Sequence, residues 1–237
     1  MNKTLKITTL LLFTLQFISC AAQSTLVEGA LETVVTKEIN YYLYYPEGYE
    51  AKSKEKYGML LFLHGAGSIP TEVTQEMLPP DALIDGTAYP FLILVPQLRE
   101  PNKMWNTAGV MQLLDTIIAQ NNIDEKKVYL SGLSRGGAAA WDLAIEYPEK
   151  FAALAVVCGM APTPYAHWID KSLPIKVFHG RKDTIIPYTE SEEMVNRLKS
   201  LGYNVTLTSY DNYGHAIWDV VYKNPDLFKW FEKQKKM

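Results

Sequence analysis

The sequence predicts an α/β fold: a mostly parallel sheet with helices on both faces. Three observations lead there. Runs such as Tyr57-Gly-Met-Leu-Leu-Phe-Leu63 and Pro90-Phe-Leu-Ile-Leu-Val95 are continuously apolar, as strands buried on both faces require. They alternate with segments of helical periodicity, the pattern of right-handed crossovers between parallel strands. The 237 residues show no internal repeat, low-complexity tract or linker, so one domain over 25–237 is the simplest partition.

In chain order, Leu31 to Tyr45 is rich in β-branched and aromatic residues and predicts one or two antiparallel edge strands, broken by Pro46-Glu-Gly-Tyr. The buried run Met59 to Leu63 follows, then a long loop rich in Pro and Gly, then the strand ending at Val95. Val110, Leu113, Leu114, Ile117 and Ile118 fall at helical spacing and predict an amphipathic helix over about Ala108 to Asn121. Val128 to Ser131 reads as a strand and Ala138 to Tyr147 as the helix after it, stopped by Pro148. Ala152 to Val157 and Ile175 to Phe178 supply two more strands. Thr189 and Glu192 have the spacing of a capping box, opening a helix that carries Met194, Val195, Leu198 and Leu201 on one side and ends at Gly202. Val205 to Ser209 gives the last strand, and Leu227, Phe228, Trp230 and Phe231 mark a terminal helix. Gly159 to Pro174 is too short for a large helical lid.

Chemistry concentrates where strands end. Val128 to Ser131 leads into Gly132-Leu-Ser134-Arg-Gly136, where a serine between two glycines sits at a strand-to-helix turn. Small residues on either side of such an elbow let backbones approach while the hydroxyl stays exposed. Ser134 is the candidate nucleophile. An acid and then a histidine must follow it in the chain. Asp183 lies in the loop directly after the run Ile175 to Gly180, unlike the competing acids Asp170, Glu190 and Asp211. Of the four histidines, His64, His167, His179 and His215, only His215 lies beyond Asp183. Upstream, the strand ending at Leu63 empties into His64-Gly65-Ala66-Gly67-Ser68. Backbone N–H groups of Ala66, or Gly65, and of Arg135 are the candidate oxyanion donors. His64, Gly65, Gln97, Trp105, Trp168 and Trp218, with Tyr165, are candidate substrate-lining residues.

A nucleotide site is excluded by spacing. After Gly65 and Gly67 the third glycine of a dinucleotide fingerprint would fall at Pro70, and no phosphate-loop motif occurs. The formal net charge of -3, with acids and bases interspersed, offers no basic patch for nucleic acid. The basic stretch Lys229 to Lys236 reads as a solvated helix face.

Residues 1–20 read as an export signal: Met1 to Lys6 is positive, Ile7 to Ser19 is largely apolar, and Cys20-Ala-Ala-Gln follows. Phe17-Ile-Ser-Cys20 resembles a bacterial lipobox, which would make Cys20 a lipidated residue and the protein a periplasmic or cell-surface lipoprotein. The other reading is plain secretion with cleavage near Ala22. A lipid on Cys20 would be the sole membrane contact. Cys158 is then the one remaining cysteine, so no internal disulfide is expected.

With these residues in place, the chain from about Tyr41 to Phe231 resembles the α/β-hydrolases, in particular the dienelactone-hydrolase-like esterases related to feruloyl and acetylxylan esterases. Leu61-Phe-Leu-His-Gly-Ala-Gly67, Val95-Pro-Gln97, the Ser134 elbow, Phe178-His-Gly-Arg-Lys-Asp183 and Gly214-His-Ala-Ile-Trp-Asp219 carry the resemblance. It implies a serine carboxylic-ester hydrolase with Ser134, Asp183 and His215 as its triad. No metal or organic cofactor is implied, and the substrate would be a small-molecule or carbohydrate-linked ester. Arg135 departs from the methionine common at that position. A serine peptidase and a non-catalytic surface binder on the same scaffold are the alternatives.

Overall fold

The computed structural model describes residues 38–65, 91–98, 100 and 103–236. Lys37–Met237 forms one compact unit, and the expected export signal with Cys20 lies outside the described residues.

Among the described residues seven strands form one sheet: β1 (Tyr41–Tyr44), β2 (Tyr57–Leu63), β3 (Phe91–Pro96), β4 (Ile123–Leu133), β5 (Ala153–Val157), β6 (Ile175–Gly180) and β7 (Val205–Tyr210). Their order is β1-β3-β2-β4-β5-β6-β7. β1 runs antiparallel to β3, and every other neighbouring pair is parallel. The expected edge pairing is therefore present, with a single antiparallel strand among the described residues. The chain moves outward from β2 to β3, then crosses back over β2 to β4. That reversal opens a crevice at the carboxyl ends of β2 and β4, where open α/β sheets place ligands.

Among the described residues five helices cover the sheet: α1 (Thr107–Gln120), α2 (Arg135–Glu146), α3 (Tyr188–Ser200), α4 (Trp218–Tyr222) and α5 (Pro225–Glu232). Side chains alternate along β2, so Met59, Leu61 and Leu63 join the core under α1, α2 and α3, while Leu60 and Phe62 join the core under α4 and α5. The two-sided burial explains why β2 and β3 read as unbroken apolar runs. Between β5 and β6 the chain makes a short 3-10 turn, Thr163–Trp168, and no lid helix.

Three local expectations shift. β4 begins at Ile123, ahead of the expected Val128: Ile123 pairs with Tyr57, the register then shifts, and the polar stretch Asp124 to Lys127 precedes the regular ladder that starts at Val128. α3 starts at Tyr188 with Pro187 at its cap and no side-chain capping bond, so Thr189 and Glu192 do not form a capping box. Glu190 instead accepts from the Ala161 N–H at 3.2 Å. α4 has no counterpart in the sequence reading, because five residues are too few to show a period.

α4 is tied to the sheet by a buried polar pair. Ser131 Oγ donates to the Ala155 carbonyl at 3.0 Å and so accepts from the Tyr222 hydroxyl at 2.7 Å. Tyr222→Phe leaves that serine oxygen short of a donor without opening a large void, and should lower unfolding stability by about 1 kcal/mol. Urea denaturation followed by circular dichroism checks this, and an unchanged midpoint would show the pair contributes nothing.

Candidate active site

β4 delivers the chain into Ser134 at φ 53 and ψ -119, a left-handed conformation that costs a non-glycine residue about 1–3 kcal/mol. The surrounding backbone enforces it. Ser134 N–H donates to the Val157 carbonyl of β5 at 2.8 Å, and its own carbonyl accepts from Ala138 N–H at 3.0 Å to open α2. A side chain at Gly132 would overlap the Gly136 carbonyl, and one at Gly136 would overlap the carbonyls of Leu63 and His64. Both elbow glycines are thus required by close approach of strand, helix and the end of β2.

The partly exposed Ser134 Oγ lies 2.9 Å from His215 Nε2, and His215 Nδ1 lies 2.7 Å from Asp183 Oδ2. The Asp183 side chain is fully buried. Burial by itself would push its pKa up. The bond from His215 and the N–H groups of Ile186 and Ile185 on Oδ1, at 2.9 and 2.8 Å, outweigh that and hold the carboxyl below the usual range. An ionised Asp183 only accepts, so His215 Nδ1 carries the proton and Nε2 is free to accept from Ser134. The His215 loop reaches this place by leaning on the Asp183 loop: Lys182 N–H donates to the Tyr213 carbonyl at 2.9 Å, and Gly180 leaves the space that the Tyr213 and Gly214 carbonyls fill.

At the end of β2, Gly65 sits beside Ser134, since a Cβ there would come 3.4 Å from Ser134 Cβ. Ala66 lies outside the described residues. Arg135 is the first residue of α2, so its N–H has no acceptor within the helix and stands at the positive end of the helix dipole. Its guanidinium turns away to the Lys103 carbonyl at 3.0 Å and ties down the segment after β3.

Of the expected lining residues, His64 does not line a surface. It is fully buried; Nδ1 donates to the Gly65 carbonyl at 2.7 Å and Nε2 accepts from Leu98 N–H at 3.0 Å. His64 is a stitch between the loops after β2 and β3, with its ring edge-on to Trp105. Trp105 is itself only 9% exposed and, with Gln97, borders a separate cavity of about 150 Å³. Trp218 packs its ring against His215, 5.9 Å between centroids. Trp168 stands 55% exposed on the 3-10 turn, its ring tilted against Tyr165.

Two buried residues stand next to Asp183, and the sequence pointed to neither as part of the site. His179 contacts Asp183 from behind at 3.1 Å. Cys158, at φ 40, brings its sulfur within 4.8 Å of the Asp183 and His215 donor atoms. Burial pushes the Cys158 thiol up to about 12, so it stays protonated and is a poor metal ligand. A histidine and a cysteine inside apolar strand runs look like ordinary core, and only the position of His179 four residues before Asp183 was a local hint.

The sequence profile of the phospholipase/carboxylesterase family matches residues 97–224. A bifunctional acetylxylan esterase/xylanase of Neocallimastix patriciarum is 30% identical over 141 residues, 56% of this chain and 20% of that protein. Feruloyl esterase B of Neurospora crassa is 27% identical over 143 residues, 54% of this chain and 46% of the relative. The chain thus spans less than half the length of each of these two relatives. The crystal structure of a thermostable esterase superposes with a TM-score of 0.71 at 27% identity, over 83% of this chain and 59% of that one.

Desolvation lowers His64 from 6.5 to about 4, the Gly65 bond opposing it and the Arg135 charge adding to it. The unfolded chain takes up that proton first. Stability from neutral His64 is therefore whole above about pH 6.5 and is lost as the pH falls toward 4, by roughly 3 kcal/mol in all. Urea midpoints across that range should fall more steeply for the wild type than for His64→Gln, and equal slopes would contradict this.

Proposed function

The chain belongs to the phospholipase/carboxylesterase family, and on that footing we propose that it is a serine carboxylic-ester hydrolase with Ser134 as nucleophile, His215 as base and Asp183 as orienting acid. One observation carries the reading: the unbroken Ser134–His215–Asp183 hydrogen-bond chain, at 2.9 and 2.7 Å, on a serine held at a strained elbow.

Ser134 Oγ attacks the ester carbonyl carbon while its proton passes to His215 Nε2. Asp183 accepts from Nδ1–H throughout, which fixes the tautomer and stabilises the imidazolium. The oxyanion of the tetrahedral intermediate meets the N–H of Arg135 and of the loop after β2, where Ala66 is the expected second donor. Each such donor is worth about 10²–10³ in turnover. His215 returns the proton to the leaving alkoxide, releasing the alcohol and leaving an acyl-Ser134. Water, deprotonated by His215, then cleaves the acyl-enzyme to the acid.

The proposed substrates are acylated carbohydrates and aromatic, feruloyl-type esters. Two relatives are named for such substrates. On the chain itself, exposed Met160, Tyr165, Trp168 and Ile185 stand on the loops after β5 and β6, at the edge that holds Asp183. We also propose export, with Cys20 as lipid anchor or cleavage near Ala22. Among the described residues no helix is long and apolar enough to cross a membrane.

Ser134→Ala should lower kcat on short nitrophenyl esters by about 10⁶-fold if the residue acts as nucleophiles of such triads do. Near-full activity in that variant would overturn the assignment. Turnover of methyl ferulate and of acetylated xylan by the wild type, measured side by side with nitrophenyl acetate, tests the substrate class. Inactivity on both methyl ferulate and acetylated xylan would remove it.

A further inference from the structure

Asp183 is held by more than His215. At the end of β6, His179 is fully buried, and its Nε2 lies 3.1 Å from Asp183 Oδ2 and 3.0 Å from the Ile186 carbonyl. Both of those atoms are acceptors, so Nε2 must carry the hydrogen. On the far side of the ring, Nδ1 lies 2.7 Å from Ser191 Oγ, itself fully buried on α3. A neutral ring satisfies all of this: Ser191 donates to Nδ1, and Nε2–H donates to Asp183. The ring is further fixed edge-on to Tyr188, 5.8 Å between centroids.

We propose that His179 is a positioning residue for the reaction: its Nε2–H shares the same Asp183 oxygen that binds His215, and so governs how strongly that carboxylate pulls on the His215 proton. The proposal rests on the reading of Ser134, His215 and Asp183 as an acyl-transfer triad. Oδ1 is occupied by Ile185 and Ile186, and Oδ2 is divided between two imidazoles. Removing His179 leaves the charge on Oδ2 to His215 alone. The imidazolium is then favoured, and His215 becomes harder to deprotonate in the free enzyme. The carboxylate also loses one of the bonds that fixes its rotation.

Other groups around the pair are accounted for. Cys158, at the end of β5, stays a thiol. Arg181 pairs with Asp211 at 2.9 Å and lies over the Tyr188 ring. Lys182 bonds Asn212, and Glu190 is spent on Ala161 N–H. Imidazole is the side-chain type that titrates near neutrality, and His215 is the one in contact with the nucleophile.

The test compares His179→Met, which fills the space without a donor, with His179→Gln, whose amide N–H falls near the position of Nε2. His179→Met should lower kcat about 10–100-fold with KM within about twofold, as loss of an orienting partner does elsewhere. The acidic limb of its kcat/KM–pH profile should move to higher pH, by about half a unit or more. His179→Gln should recover most of the rate and return the limb toward the wild-type position. If His179→Met does not fold, Ser191→Ala weakens the same donor and should move the limb in the same direction by less. Equal losses in both His179 variants with an unmoved limb would overturn the proposal, since a purely structural role lowers activity evenly across pH. Ser134→Ala in parallel separates the two readings. Activity surviving there overturns the triad and this proposal together, whereas an inactive Ser134→Ala beside an unmoved limb overturns only the role of His179.

Discussion

Three stretches of backbone meet without side chains between them at the carboxyl ends of β2 and β4, and the site is built on that contact. Gly132 presses on the first turn of α2, Gly136 presses on the carbonyls of Leu63 and His64, and Gly65 lies against Leu133 and Ser134. With no room to relax, Ser134 is held at positive φ and its hydroxyl is turned out of the sheet. The strain of about 1–3 kcal/mol is small beside what the buried strands around it contribute. It is also maintained by the bond from Ser134 N–H to β5. The same contact sets Arg135 at the start of α2, directly after Ser134.

The other half of the site is an exercise in holding one carboxylate. Asp183 is out of water, and a buried charge is tolerated only when its oxygens are filled. Two backbone N–H groups and two imidazoles fill them. The arrangement keeps Asp183 ionised, and an ionised Asp183 dictates which nitrogen of His215 is free for Ser134. Gly180 makes the geometry reachable by letting the loop after β7 rest on the loop after β6. His64 does the corresponding task on the opposite flank, where its two ring nitrogens clip the loop after β2 to the loop after β3.

Much of this was legible in the sequence, for identifiable reasons. Strands buried on both faces leave unbroken apolar runs, and a serine between glycines at the end of one run has few other uses. Asp183 and His215 could be picked out because the chain order of such a site restricts the choice. What escaped was whatever depends on contacts remote in sequence. His64 looked like a lining residue because a polar side chain in a glycine-rich loop suggests exposure, whereas its acceptor site is filled by Leu98, 34 residues away. The start of α3 was misplaced because Pro187 begins the helix by its fixed φ while Glu190 serves a different loop. The first half of β4 makes one pair, at Ile123, before the register shifts to Val128, and its polar residues carry no hydrophobic signal.

The central claim is that Ser134 is a nucleophile primed by His215 and Asp183. Mass spectrometry of the protein after exposure to a fluorophosphonate measures this directly. The account predicts a single adduct, mapping to the peptide that contains Ser134, with loss of esterase activity in step with its formation. Adduct formation at another residue, or hydrolysis that persists with Ser134 fully modified, would contradict it.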